Sequence, residues 1–241
     1  MGLRRAFTGR DQALMRQSSR LLDLVSNKAP WALARFNDGE VKAMLSSNVG
    51  EKTARDDQQI NQSLVDKLNW AFNQRSDNLW LGLPCSVCWP SERAYLGGKI
   101  EKNYPYQTLA VVQTNRNWDD WITKLPPLLK NRSVVWVSGE DQDLNHLKSK
   151  VGIVARDHWK LPTTNVWQSE YKKLSEKYNE FETGDIVFLS CGPLATVLAV
   201  EWFLKRPDCT FIDIGSTFDP FTRNVWHACH KKELPRCIGC N

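Results

Sequence analysis

Two carboxylates flank a glycine in the stretch Arg35-Phe36-Asn37-Asp38-Gly39-Glu40. An apolar run from Trp31 to Phe36 leads into them, and a helix-like pattern follows. Asp38 and Glu40 offer oxygen ligands to a hard divalent cation such as Mg2+ or Mn2+. Gly39 reads as the residue that lets the backbone turn tightly between them. Arg35 brings a planar fork that suits phosphate oxygens. The same residues admit a plainer reading, in which Asp38 caps a helix and Glu40 sits in its first turn.

Three more stretches gather small and acidic residues where apolar runs stop. They are Ser138-Gly139-Glu140-Asp141, Ser190-Cys191-Gly192-Pro193-Leu194-Ala195-Thr196, and Asp213-Ile214-Gly215-Ser216 with Asp219 just beyond. The Gly192–Thr196 segment opens a helix, whose free N–H groups favour an anion, and Pro193 suits a first helical turn. Glu140 and Asp219 are the candidates for a general base.

These stretches need a scaffold that brings them to one place. Apolar runs predict strands over 31–36, 79–84, 108–114, 133–140, 150–155, 185–192 and 209–215. Spacing near 3.6 predicts helices over 11–26, 57–75, 90–97, 165–181 and 193–205, and one over 118–130 broken near Pro126 and Pro127. Strands alternating with helices, several strands being continuously apolar, predict an α/β domain of three layers around a mostly parallel sheet. The expected organisation is one domain over residues 1–241, with an irregular Cys/His-containing tail over 222–241. In an open sheet of this kind ligands bind beyond the carboxyl ends of the strands, which is where all four stretches fall.

Composition narrows the class. The chain has 241 residues, 41% hydrophobic and 24% charged, which is globular rather than disordered. No apolar run approaches the ~20 residues of a membrane span, and the N-terminus lacks the apolar centre of a signal peptide. A cytoplasmic protein is expected. Arg4, Arg5, Arg10, Arg16 and Arg20, with Leu3 and Phe7, offer a route to peripheral contact with a membrane. A net charge of +5 does not argue for nucleic acid but suits an anionic small ligand such as a nucleotide. Of the eleven tryptophans most must pack in the core, while a few are expected to line a site, where indole serves as a platform for a sugar ring.

The seven cysteines are uneven. Cys191 and Cys209 lie in strand-like stretches and read as core thiols. Cys85 and Cys88 form one C-x-x-C pair and Cys237 and Cys240 another. Either the two pairs together, or Cys229 and His230 with Cys237 and Cys240, could hold a structural Zn2+. Free thiols and a disulfide are the other readings.

The ordered set of motifs resembles the glycosyltransferases of the GT-D fold, a Rossmann-like family with an Asp-x-Glu motif. The family's R-[FY]-G-D-G-E corresponds to Arg35–Glu40, its L-G-P-T-A-T-V-L-A to the stretch from Cys191 through Ala199, and its L-D-I-G-H to Ile212–Ser216. Asn37 stands where the family has Gly, and Ser216 where it has His. The resemblance spans roughly residues 20–220. It implies Mn2+- or Mg2+-dependent transfer of a sugar, most often from a UDP-sugar, to a glycan or glycoconjugate acceptor. Asp38 and Glu40 carry over as the metal and diphosphate residues. Arg35, Asn37, Gly39, Gly139, Glu140, Gly192 and Thr196 carry over as nucleotide-side contacts. A nucleotide-binding regulatory module without catalysis and a zinc-stapled interaction protein remain the alternatives.

Overall fold

The computed structural model describes residues 9–46, 60–101, 103–114 and 117–226. Seven strands form one sheet: β1 (Ala32–Arg35), β2 (Leu79–Leu83), β3 (Gln107–Leu109), β4 (Val134–Gly139), β5 (Asp157–Leu161), β6 (Ile186–Ser190) and β7 (Thr210–Asp213). Their order is β3-β2-β1-β7-β6-β4-β5, and every pairing is parallel.

Side chains alternate between the faces of a strand, so the central strands feed two cores. Ala32, Ala34, Leu79, Leu81, Val135, Val137, Val187, Leu189 and Phe211 join one buried cluster. Leu33, Trp80, Val134, Trp136, Ile186, Phe188 and Ile212 join the other. Burial on both faces explains why these strands read as unbroken apolar runs. The first core is covered by α3 (Asp38–Leu45), α4 (Gln62–Asn73), α8 (Val166–Ser175) and α9 (Pro193–Lys205). The second is covered by α2 (Gln17–Ser26), α6 (Trp118–Leu128) and α7 (Leu144–Val151). The three-layer α/β expectation holds. No helix among the described residues is long and apolar enough to cross a membrane.

Three local expectations are corrected. The segment 150–155 is not a strand: Lys150 and Val151 end α7, and Gly152 closes it in the left-handed conformation at φ 82°. The strand is instead β5, an edge strand whose five residues run exposed, intermediate, intermediate, exposed, buried, so it lacks an apolar run. Pro126 and Pro127 do not break α6 but lie inside its end, where Leu129 N still reaches Leu125 O at 3.2 Å. The helix expected over 11–26 is two helices, α1 (Gly9–Met15) and α2, meeting at Arg16. After α5 (Pro90–Gly97), the last described helix is α10 (Asp219–Thr222), which ends where the tail expected over 222–241 begins. Leu3, Arg4, Arg5 and Phe7 lie outside the described residues, as do Cys229, His230, Cys237 and Cys240.

Candidate active site

From β1 the chain builds outward to β2 and β3, then crosses to β4 on the other side of β7 and β6. The order therefore reverses between β1 and β7, and a crevice opens beyond the carboxyl ends of such a pair. Two of the four candidate stretches leave the sheet there, Arg35–Glu40 from β1 and Asp213–Asp219 from β7.

Asn37, extended at φ −95° and ψ −162°, is the N-cap of α3. Glu40 in the first turn reaches back, and its Oε2 accepts the Asn37 N–H at 3.0 Å. Asp38 turns the other way. Its Oδ1 accepts from Asn37 Nδ2 at 3.0 Å, and its Oδ2 lies 3.8 Å from Lys42 Nζ one turn along the helix. The two carboxylates of the motif are thus directed apart, as expected for positions two residues apart on a helix. Gly39 is an ordinary helical residue with no left-handed φ. An added Cβ there would meet nothing within 4 Å, so the tight-turn expectation for it is corrected.

Asp213 at the end of β7 lies close enough for its charge to act on Glu40. Burial, and then the Asp213 charge, pushes the Glu40 carboxyl up to about 8, although part of the residue's surface reaches solvent. Arg35 opposes this shift. Asp213 is itself pushed up by burial and held back by Arg35, whose Nη1 lies 3.9 Å from Asp213 Oδ1. Arg35 is 8% exposed, and its Nε donates to the Ala110 carbonyl. The nearby Cys191 thiol is held well up by burial and by Asp213, which suits an inert core thiol.

Thr196 does not line the crevice. It is 0% exposed, and its hydroxyl lies 2.9 Å from Asp213 Oδ2 and 3.1 Å from the Arg35 carbonyl. Its role is to tie α9 to the ends of β1 and β7, which corrects the expectation of a nucleotide contact. Gly192, the N-cap of α9, sits at φ 62° and ψ −147°, a region open essentially to glycine alone. The backbone there turns α9 so that its N-terminus faces the crevice side of the sheet.

Glu140 and Asp219 stand apart from this cluster. β4 is three strand spacings from β1, about 14 Å at 4.8 Å per spacing. Glu140 is exposed and lines a separate cleft of about 630 Å³ beside β5, with Gln142, Lys148, Arg156, His158 and Lys160. His158 of that cleft has its Nε2 2.9 Å from the buried Ser138 hydroxyl, and burial, with Lys160 nearby, pushes the imidazole down. Asp219 is buried, with Arg223 Nη1 3.9 Å from its Oδ2, and Arg223 Nε reaches Asp141 Oδ2 at 3.1 Å. Gly139 is packed against that pair: a Cβ there would fall 2.5 Å from Asp141 Oδ1.

The sequence places Asp213 in a strand-end stretch but assigns it no role, and the polar frame around it is not foreseen there. Gln113 Nε2 donates to the Asp213 carbonyl at 2.9 Å, and the Thr217 hydroxyl lies 3.1 Å from Gln113 Oε1. A second chain runs from Trp136 Nε1 to Gln142 Oε1 at 3.0 Å, from Gln142 Nε2 to Ser190 Oγ at 2.8 Å, and from Ser190 Oγ to the Gly215 carbonyl at 2.9 Å. Asp213 also stands out as the lone acid inside the apolar run Phe211-Ile212-Asp213-Ile214.

The chain superposes on a structure described as "The highly conserved domain of unknown function 1792 has a distinct glycosyltransferase fold", with a TM-score of 0.61 and 18% identity over 94% of each chain. It carries that fold. A selenomethionine form of domain of unknown function 1792 gives 0.64 and 16% over 94% of each chain. "A New Glycosyltransferase (DUF1792) from Streptococcus sanguinis" gives 0.61 and 16% over 92% of this chain and 91% of that one. No protein-family model and no curated protein matches the sequence.

Among the described residues no group of three or more His, Cys, Asp or Glu side chains is placed to hold a metal ion. The β1–β7 crevice offers the carboxylates of Asp38, Glu40 and Asp213 and the buried, unpartnered Asn37 Oδ1, all oxygen donors that suit a hard cation. Mg2+ is commonly held by only one or two carboxylates, with substrate phosphates and water completing its shell.

Proposed function

We propose that the protein is a glycosyltransferase that moves a sugar from a nucleotide sugar, a UDP-sugar, to a glycan or glycoconjugate acceptor with the help of Mn2+ or Mg2+. The observation that carries this reading is the convergence of Arg35, Glu40 and Asp213 at the switch point, in a fold shared with domains described as glycosyltransferases.

Glycosyl transfer leaves a nucleoside diphosphate whose charge grows as the bond to the sugar breaks. Glu40 and Asp38 are the residues that would hold a cation, and it would supply charge stabilisation to that leaving group. The protein's own residues do the rest. Arg35, fixed by the Ala110 carbonyl and by Asp213, keeps a positive charge at the crevice floor. The N-terminus of α9 adds the positive end of its helix dipole, although Pro193 has no N–H and the Ala195 N–H already donates to the Gly192 carbonyl at 2.9 Å. Asp213 pairs with Arg35, and its charge adds to burial in raising the proton affinity of Glu40.

The test is calorimetric titration of UDP into the protein with Mn2+, with EDTA, and into the Asp38→Ala, Glu40→Ala double variant. The expected result is binding with Mn2+ that is lost with EDTA and in the variant. Absence of UDP binding by the wild type in Mn2+ would remove the UDP-sugar assignment.

A further inference from the structure

The crevice has a second side. β1 and β2 are neighbours with Arg35 opposite Gly82, so the loop after Leu83 leaves the sheet beside the Arg35–Glu40 segment. That loop ends in Trp89, which is partly exposed. Its backbone is fixed from both directions: Trp89 N donates to the Cys85 carbonyl at 2.9 Å, and the Trp89 carbonyl accepts from Arg93 N at 2.9 Å. Trp89 is also the N-cap of α5, with Pro90 locking the next φ. The indole is therefore held at the lip of the crevice on a preset backbone.

The face of that indole carries a charge. Lys42 Nζ lies 4.4 Å from the ring centroid and 3.8 Å from Asp38 Oδ2. An ammonium resting over the ring shows that this π-face is open, not packed into the core. The Lys42 side chain is 49% exposed, so it leaves at little cost. Asp38, Lys42 and Trp89 thus form one line from the motif carboxylate to an aromatic surface.

We propose that the face of Trp89 now covered by Lys42 is the platform for a pyranose ring of the transfer reaction. This rests on the glycosyltransferase reading. A pyranose presents one face of C–H groups, which packs on an aromatic ring by dispersion and against its negative face. The anion-binding groups, Arg35 and the α9 N-terminus, stand on the β1–β7 side of the crevice, which leaves the β2 side for the uncharged sugar. The ring belongs either to the donor or to the acceptor, and the chemistry of the contact is the same for both.

The experiment compares wild type, Trp89→Phe and Trp89→Ala in Mn2+. One arm measures by calorimetry the affinities for UDP, UDP-glucose, UDP-galactose and UDP-N-acetylglucosamine. The other measures saturation transfer from the protein to the methyl glycosides of the same sugars with UDP bound. A donor platform predicts that Trp89→Ala weakens at least one UDP-sugar by about fivefold to tenfold, the size of one aromatic contact, with UDP unchanged and Trp89→Phe close to wild type. An acceptor platform predicts unchanged UDP-sugar affinities and loss of saturation transfer to the glycosides in Trp89→Ala alone. Wild-type UDP binding with neither arm altered by Trp89→Ala overturns the proposal. An equal loss of UDP itself in Trp89→Ala also overturns it, because the residue then acts through the fold. Failure of the wild type to bind UDP removes the parent reading, and the platform with it.

Discussion

Gly215 and Arg35 compete for the same space. A Cβ built on Gly215 would stand 1.9 Å from Arg35 Nη1, and Gly215 holds φ at 47°. Only a residue without a side chain lets the β7 turn pass beneath the guanidinium. Gly215→Ala therefore displaces Arg35 or strains the turn, at about 1–3 kcal/mol. Urea unfolding is expected to show that loss. Adding Arg35→Ala to Gly215→Ala should recover part of the stability and none of the UDP affinity. Additive effects of the two changes on stability would argue against the contact.

Glu40 sets a pH dependence whose direction follows from its environment. Its carboxyl has an ordinary value of 4.5 and sits at about 8 in the fold. Between those values the folded state keeps a proton that the unfolded chain has released. Stability is thus at its fullest below about 4.5 and falls as pH rises toward about 8. Asp213, also raised, acts with the same sign. Glu40→Gln has no such proton and can still accept from Asn37 N. Its stability relative to wild type should grow from pH 4 to pH 8 when no divalent cation is added. Parallel urea midpoints for the two proteins across that range would show that Glu40 is not in this environment.

Thr196 is expected to matter for the frame and not for the ligand. Thr196→Val keeps the shape and removes the hydroxyl that meets Asp213 Oδ2 and the Arg35 carbonyl. A buried acceptor left without its partner costs about 1–3 kcal/mol. The unfolding free energy from urea titration should fall by that amount, and an unchanged midpoint would refute the bridging role.

The separation of Glu140 from Glu40 predicts unequal consequences. Glu140→Gln should leave UDP affinity in Mn2+ within about twofold of wild type, since Glu140 sits in the β5 cleft. Glu40→Gln should lower it by at least tenfold, one charge-assisted contact being worth about 1.5–3 kcal/mol. A large effect of Glu140→Gln on UDP would mean that the nucleotide extends as far as β4.

Much of the scaffold is legible in the sequence because central strands buried on both faces must be apolar throughout. β1, β2, β4, β6 and β7 are read within a few residues on that ground. The edges are less legible: β5 has solvent on one side and needs no apolar run, whereas the apolar Gly152-Ile153-Val154 is a helix cap and its exit. The Arg35–Glu40 stretch shows itself as a strand-to-helix junction with acids in the first turn, and the structure places it at a switch point.

The sequence by itself determined the alternation of elements, the three-layer class and the acids that begin α3. These follow from local periodicity and from end effects that reach only a few residues. The tertiary structure decided which acids meet. Asp38 and Glu40 are neighbours in the chain yet turn apart on the helix, while Glu40 and Asp213 come together across the β1–β7 pairing. A carboxylate's partner and its proton affinity depend on burial and on charges brought in from distant strands, and no local pattern encodes that distance.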